Sequence, residues 1–351
     1  MISIEGKVPD SSGDRPIEVL FCCDPSFYQH LAVALISMLE NNARTHFNVH
    51  LMTSSRNDRL EEQLRKSLAS YRNATLTIHH LSLDNYTHFF VSSHIRLESY
   101  LRIFAAQVLG DDIDKILYLD CDVVVLDDLR DLWATDISAY ALAAAPDLYG
   151  GFRRTALGVP EDRPYVNAGV LLLNLTRWRQ ENLAQRLIGY IEAHSDTLTF
   201  HDQDAINAVL HASIRVLERR WNVQAQMYRL RRHVFPDAYA AIKHACSRAA
   251  IVHYAGPEKP WRFRMSVARR HLYFQYLRKT QWQGARLQGS AWYHQPECWL
   301  SGALDRIGID YMLIIVLLQK CWRRIGQALI RGQEARPTQD EARLATRAGS
   351  E

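Results

Sequence analysis

From Ile17 onward, short continuous apolar runs alternate with longer stretches whose apolar residues recur at helical spacing. Ile17 to Cys23 (IEVLFCC) follows a proline and stops at Asp24-Pro25-Ser26, a turn signal, so it predicts a strand buried on both faces. His30 to Leu39 has helical character, Phe47 to Met52 predicts a second strand, Asp58 to Tyr71 a charged amphipathic helix, and Ala74 to Leu81 a third strand. Leu97 to Leu109 reads as a helix. Lys115 to Leu119 (KILYL) is another central strand and runs straight into Asp120-Cys121-Asp122. Tyr140 to Ala145 and Gly169 to Leu175 predict further strands, and Arg179 to His194 an amphipathic helix. His201 to His211 opens on polar residues that can cap a helix, and Ile251 to Tyr254 is a last short strand. This β-α-β alternation predicts an α/β fold with a single, mostly parallel central sheet flanked by helices. Its ligands then sit beyond the carboxyl ends of the strands.

The α/β body is expected over residues 17–280, after a flexible N-terminus at 1–16. Beyond it the pattern changes in kind. Ile307 to Leu318 is almost wholly apolar, and Gln319 to Arg331 mixes Lys320, Arg323, Arg324 and Arg331 with Trp322, Ile325, Leu329 and Ile330. The apolar run falls short of the roughly twenty residues that cross a bilayer. Residues 281–331 therefore predict a basic, aromatic, amphipathic α-helical region lying in an anionic membrane interface; a helix docked on the α/β core has the same pattern. Residues 332–351, charged and low in apolar content, are expected to be disordered.

At 351 residues, 48% apolar and 23% charged, the composition is that of an ordinary globular protein and excludes disorder as the overall state. A formal charge of +4 favours anionic partners such as nucleotides or lipid head groups and does not point to nucleic acid. Of the six cysteines, Cys22 and Cys23 sit inside an apolar run and Cys121 between two aspartates, a spacing of neither a metal knuckle nor a disulfide framework. A reducing compartment is expected. The first residues lack the basic and apolar regions of a secretory signal, so a cytoplasmic location is expected, and the Asn-x-Ser/Thr triplets at Asn73, Asn85 and Asn174 read as chance.

Two carboxylates spaced i, i+2 at the end of an apolar strand project to one side, where Asp120 and Asp122 can hold a divalent cation whose shell a diphosphate completes. His253 also ends a short apolar strand (AAIVHY) and is a candidate third ligand, its nitrogen suiting Mn²⁺ better than Mg²⁺. Gly256 lets a backbone approach a phosphate closely, and Lys259 can neutralise it.

These residues resemble the retaining glycosyltransferases of family 8, which include bacterial lipopolysaccharide galactosyl- and glucosyltransferases and glycogenin. The resemblance runs in order through Asp24, His94-Ile95-Arg96 to Tyr100-Leu101-Arg102, Leu117 to Asp122, Tyr165 to Val170, His201 to Asn207, and His253 to Trp261. It is nearest to the lipopolysaccharide α-galactosyltransferase type, which also carries a basic, aromatic, membrane-attaching tail. It implies a GT-A fold, Mn²⁺ (or Mg²⁺) on Asp120, Asp122 and His253, a UDP-hexose donor and a saccharide or glycolipid acceptor. Asp24 is implied at the uracil, with the Cys22 backbone nearby and Cys121 also in the donor site. Arg102, Asp120, Asn167, Asp202 and Gln203 are implied in the hexose pocket, and Gly256 and Lys259 at the diphosphate. Where family members commonly have an Asn on the ribose and a Tyr on the uracil, this chain has Ser26 and Phe27.

Retention requires a covalent intermediate or attack from the face of the leaving group. Gln203 and Asp202 are implied nearest the β-face, and Asp204 is a rival nucleophile; an amide is a poor one, which favours same-face attack assisted by the leaving phosphate. A second reading is a haloacid-dehalogenase-like phosphohydrolase, whose opening strand and Asp-x-Asp match Asp120 to Val124 and whose first Asp is the nucleophile. Here β/α units precede that motif, and His253 to Trp261 would go unexplained.

Overall fold

The computed structural model describes residues 15–82, 97–263, 265–290, 300 and 303–304. Its elements are, in order, β1 (Ile17–Cys22), α1 (Tyr28–Asn41), β2 (Phe47–Thr53), α2 (Asp58–Leu68), β3 (Ala74–His80), α3 (Ala105–Val108) and β4 (Lys115–Leu119). There follow β5 (Val123–Val125), α4 (Arg130–Trp133), β6 (Leu142–Pro146), β7 (Val166–Asn174), α5 (Leu175–Gln180), α6 (Leu183–Ala193) and α7 (His201–Leu210). The last are β8 (Ile214–Val216), β9 (Val223–Gln224), α8 (Tyr239–Ser247), β10 (Ile251–His253) and α9 (Arg270–Leu277).

A seven-stranded sheet runs in the order β3-β2-β1-β4-β7-β6-β8. β1 lies parallel to both β2 and β4, and β2 to β3, as β-α-β units demand. β7 is antiparallel to β4 and to β6, while β6 and β8 are parallel, so the sheet is mixed at its centre. The central strand β7 is buried on both faces: every residue from Val166 to Leu173 is buried, and residues of α5, α6 and α7 share its core cluster. The strand order reverses at β1, and the crevice at such a point is where α/β sheets bind ligands.

The single-sheet expectation misses a second, small sheet of order β5-β10-β9. Asp120-Cys121-Asp122 is the connection from β4 of the large sheet to β5 of the small one. β10 pairs antiparallel with β5, His253 opposite Val123, and the Tyr254 amide donates to the Asp122 carbonyl at 3.0 Å. That register is what carries His253 to the aspartates.

The predicted helix at 97–109 is instead a 3₁₀ segment, Leu97–Phe104, followed by the single turn of α3. Tyr100 to Ile103 are consecutively buried, and the Arg102 Nε bond to the Ser99 carbonyl (2.8 Å) ties residues three apart, the spacing of a 3₁₀ turn.

The described chain divides into two compact units. The described residues up to 260 and from 267 to 286 form the first, and those from 261 to 266 and beyond 286 the second. In the second, the Gln288 amide donates to the Trp261 carbonyl and the Phe263 amide to the Gln288 carbonyl, both at 2.9 Å. His94 to Arg96, Asn85 and the tail from 305 to 351 lie outside the described residues. Among the described residues, no helix is long and apolar enough to cross a membrane.

Candidate active site

β1 and β4 end side by side, and the Cys121 thiol lies 3.8 Å from the Cys22 carbonyl. Cys22, Asp24, Asp120, Cys121 and Asp122 thus share one edge of the sheet. Asp24 caps the turn after β1, its Oδ1 accepting from the Ser26 amide at 2.8 Å, with Ser26 exposed beside the half-buried Phe27.

Asp120, Asp122 and His253 each place one ligand atom within 4.8 Å of the others. His253 Nε2 is 3.2 Å from Asp122 Oδ1 and 3.5 Å from Asp120 Oδ2. The other Asp120 oxygen accepts from the Tyr118 hydroxyl at 2.6 Å and lies 3.3 Å from Arg102, which turns Oδ2 toward the imidazole. Burial favours the neutral form of Asp122, but the Lys259 ammonium beside it outweighs this and holds the carboxyl well below the usual range. Lys259 bonds Asp122 Oδ2 and the Tyr254 carbonyl.

Whether this triad suits a cation depends on which ring nitrogen of His253 carries hydrogen. A chain of hydrogen bonds answers that. The Gly169 amide can only donate, and it donates to Asn167 Oδ1 at 3.0 Å. Asn167 Nδ2 therefore faces the Asp147 carboxylate, at 2.8 Å. Asn222 Nδ2 also donates to Asn167 Oδ1, at 2.8 Å, which turns Asn222 Oδ1 to His253 Nδ1 at 2.9 Å. A carbonyl oxygen accepts, so this chain assigns a hydrogen to Nδ1 and leaves Nε2 as the nitrogen that faces the two carboxylates, where a cation would take its lone pair. Three donor atoms of that kind are brought into balance by a divalent cation, with the supporting hydrogen bond typical of a metal-bound histidine. Gly169 leaves the room: a Cβ there would lie 2.2 Å from His253 Cε1 and 2.8 Å from Asp120 Oδ2.

Behind this cluster, Arg102 is buried and pairs with Asp202 through Nε at 2.8 Å, its NH1 donating to the Ala168 carbonyl at 2.5 Å. Burial alone would lower the Arg102 pKa; Asp202, then Tyr118 and Asp120, raise it well above the usual value. Burial pushes Asp202 up to about 6, against the opposing pull of Arg102. Gln203 is pinned at both ends, Oε1 accepting from the Ala168 amide (3.0 Å) and Asn167 (3.2 Å), Nε2 donating to Tyr165 (3.2 Å). These residues open α7 just after His201, whose φ of +53° is costly for a non-glycine residue.

Asp204, expected as a rival nucleophile, is placed otherwise. It is fully buried; Oδ1 accepts from Tyr165 at 2.6 Å, and Oδ2 from the amides of Thr199 and Phe200 and from Arg153. It satisfies the start of α7 and has no open face toward a substrate. Gly256 follows β10 with φ +79°, a left-handed turn that favours glycine.

Three residues escaped the sequence reading: Asp147, Asn222 and Gln224. Asp147 follows an apolar strand as Asp120 does, and that signal was available. Its Oδ2 accepts from Gln224 at 2.9 Å as well as from Asn167.

The family profile described as glycosyl transferase family 8 matches residues 18–264. The chain belongs to that family. General stress protein A of Bacillus subtilis is 30% identical over 278 residues, covering 77% of this chain and 96% of its own. The lipopolysaccharide 1,2-glucosyltransferase of Escherichia coli is 22% identical, over 70% of this chain and 72% of its own. The crystal structure of the galactosyltransferase LgtC with donor and acceptor sugar analogues superposes with a TM-score of 0.67 at 24% identity, over 80% of this chain and all of that one. The fold is therefore of the GT-A type, and the protein is a glycosyltransferase. Membership overturns the phosphohydrolase reading, in which Asp120 would be a nucleophile at the start of a different fold.

Proposed function

We propose that this glycosyltransferase moves galactose or glucose from a UDP-sugar to a saccharide acceptor, with retention, and that Mn²⁺ occupies the Asp120, Asp122 and His253 site. The observation that carries this is the convergence of His253 Nε2 with the carboxylates of Asp120 and Asp122, its Nδ1 held from behind by Asn222. The imidazole nitrogen favours Mn²⁺ over Mg²⁺. The names of the relatives support a hexose, and a cell-surface glycan such as a lipopolysaccharide core as the acceptor.

A cation bound there supplies Lewis-acid stabilisation of the departing diphosphate. Lys259, beside Asp122, adds positive charge at the same place, and the left-handed turn at Gly256 brings backbone close to a phosphate. Asp24, Ser26 and the strand end at Cys22 and Cys121 receive the uridine. Arg102, Asp120, Asn167, Asp202 and Gln203 receive the hexose. As the anomeric carbon gains positive charge, the buried Asp202 stabilises it while its pairing with Arg102 holds it in place. Gln203 is a pinned amide and Asp204 is enclosed, so attack from the face of the leaving group, with a phosphate oxygen taking the acceptor's proton, fits these residues best.

The basic and aromatic region at 281–331 supports a place on the inner face of a cytoplasmic membrane, on anionic lipid. Co-sedimentation with phosphatidylglycerol vesicles, absent with phosphatidylcholine, is the expected result; equal recovery in both supernatants refutes it. The activity is tested by UDP release from UDP-galactose and UDP-glucose with Mn²⁺ and a saccharide acceptor. Release abolished by EDTA and an α-linked product by NMR are expected. Release unaffected by EDTA overturns the metal assignment, and a β-linked product overturns retention.

A further inference from the structure

The turn after β6 carries two aromatic rings into solvent, Tyr149 at 50% and Phe152 at 68% exposure. The backbone at the first ring is fixed: Asp147 Oδ1 accepts from the amides of Tyr149 (2.8 Å) and Gly150 (2.6 Å). Each ring is backed by another, Tyr149 by Phe235 and Phe152 by Phe200, both at 6.0 Å. Exposed apolar surface rimmed by polar residues marks binding grooves, whereas a lone exposed ring does not, so the surroundings of each ring decide.

Tyr149 is one wall of a groove of about 360 Å³, within the range of small-molecule sites. Its floor includes the buried Leu230 and Val267, and its rim carries Arg229, Arg231 and Glu258. Arg232 and His233, both exposed, follow on the same side of the sequence. The groove borders the donor residues at two places. Gln226 lines it and donates to the carbonyl of Ala255, next to Gly256, at 2.7 Å. Tyr149 is tied through Asp147 to Asn167.

An aromatic wall over an apolar floor suits the C–H face of a sugar ring. Two guanidinium groups against one carboxylate suit an anion, which each can grip with paired donors. We propose that this groove is the acceptor subsite and that it takes an anionic saccharide, bearing a phosphate or a carboxylate. The proposal rests on the transferase reading above. Tyr149 stacks on a sugar ring, and Arg229 and Arg231 hold the anion.

The test measures binding of lactose, lactose 1-phosphate and lactobionate to the full chain with UDP and Mn²⁺, beside UDP release from UDP-galactose and UDP-glucose with each saccharide as acceptor. Either anionic disaccharide is expected to bind at least tenfold more tightly than lactose. The preferred one identifies phosphate or carboxylate. Arg229→Gln with Arg231→Gln should collapse that ratio toward one, and Tyr149→Ala should weaken all three alike. Equal binding of all three, no binding up to about 10 mM, or a ratio untouched by the arginine changes overturns the proposal. Wild-type protein that binds the anionic sugar but transfers no hexose to it from either UDP-sugar leaves the groove standing and overturns the UDP-hexose donor reading instead.

Discussion

Replacing Asn222 by alanine removes no cation ligand, yet should cost cation affinity. Asn222 is 1% exposed and makes two hydrogen bonds, to His253 Nδ1 at 2.9 Å and to Asn167 Oδ1 at 2.8 Å. Asn167 Oδ1 keeps the Gly169 amide as a donor, so the lasting loss falls on His253. An imidazole N–H left without a partner in the interior costs about 1–3 kcal/mol. The ring avoids this by moving its hydrogen to Nε2, where it can donate to Asp122 Oδ1, 3.2 Å away. A cation must then displace that hydrogen bond and restore the less favoured tautomer. Loss of such a supporting partner typically lowers metal affinity 10–100-fold, which is about 1.4–2.8 kcal/mol. Mn²⁺ binding is followed by the electron paramagnetic resonance signal of the free ion, and the Mn²⁺ dependence of UDP release gives a second estimate. A thermal melt of the apoprotein checks that the variant is folded. A folded Asn222→Ala protein that binds Mn²⁺ within twofold of wild type refutes the tautomer argument.

Asp120→Asn and Asp122→Asn each remove an anionic ligand with almost no change in volume, so turnover should fall at least a hundredfold while the melting temperature stays within a few degrees; full activity in either sinks the cation site. Gly169→Ala forces a Cβ to within 2.2 Å of His253, an overpacking cost of about 1–3 kcal/mol, and should cut activity more than tenfold; an active, equally stable variant would show that the cluster has slack. Asp202, pushed up to about 6 mainly by burial, is neutral below that pH and its ion pair with Arg102 is then lost; kcat/KM should therefore rise with pH through about 6, and Asp202→Asn should lack that limb. Lys259→Ala should weaken UDP binding and slow transfer together, and unchanged values for both would make Lys259 a bystander.

The residues that the sequence marks are those whose signal is local. KILYL followed by Asp-Cys-Asp reads as a buried strand with carboxylates at its end because periodicity and a change of polarity are properties of a few adjacent residues. The ordered blocks from Asp24 to Trp261 then single out one family and its fold. Even so, the helix predicted over Leu97 to Leu109 is a 3₁₀ segment for most of its length, a distinction that apolar periodicity does not carry because about 3.0 and about 3.6 residues per turn differ little over two turns.

Tertiary structure decided the rest. Asn222 and Gln224 stand in an unremarkable stretch, and only the pairing of β9 with β10 sets them beside His253 and Asp147. Asp204 is indistinguishable in sequence from its neighbour Asp202, yet one receives Tyr165, Arg153 and two amides while the other faces Arg102. The tautomer of His253 follows from a chain of donors running from Gly169 through Asn167 and Asn222, residues that meet only after the two sheets have formed. The physical reason is the range of the forces involved. Burial pattern and turn preference act along the chain, whereas the direction of a hydrogen bond and the charge state of a buried group depend on partners that the fold brings from elsewhere.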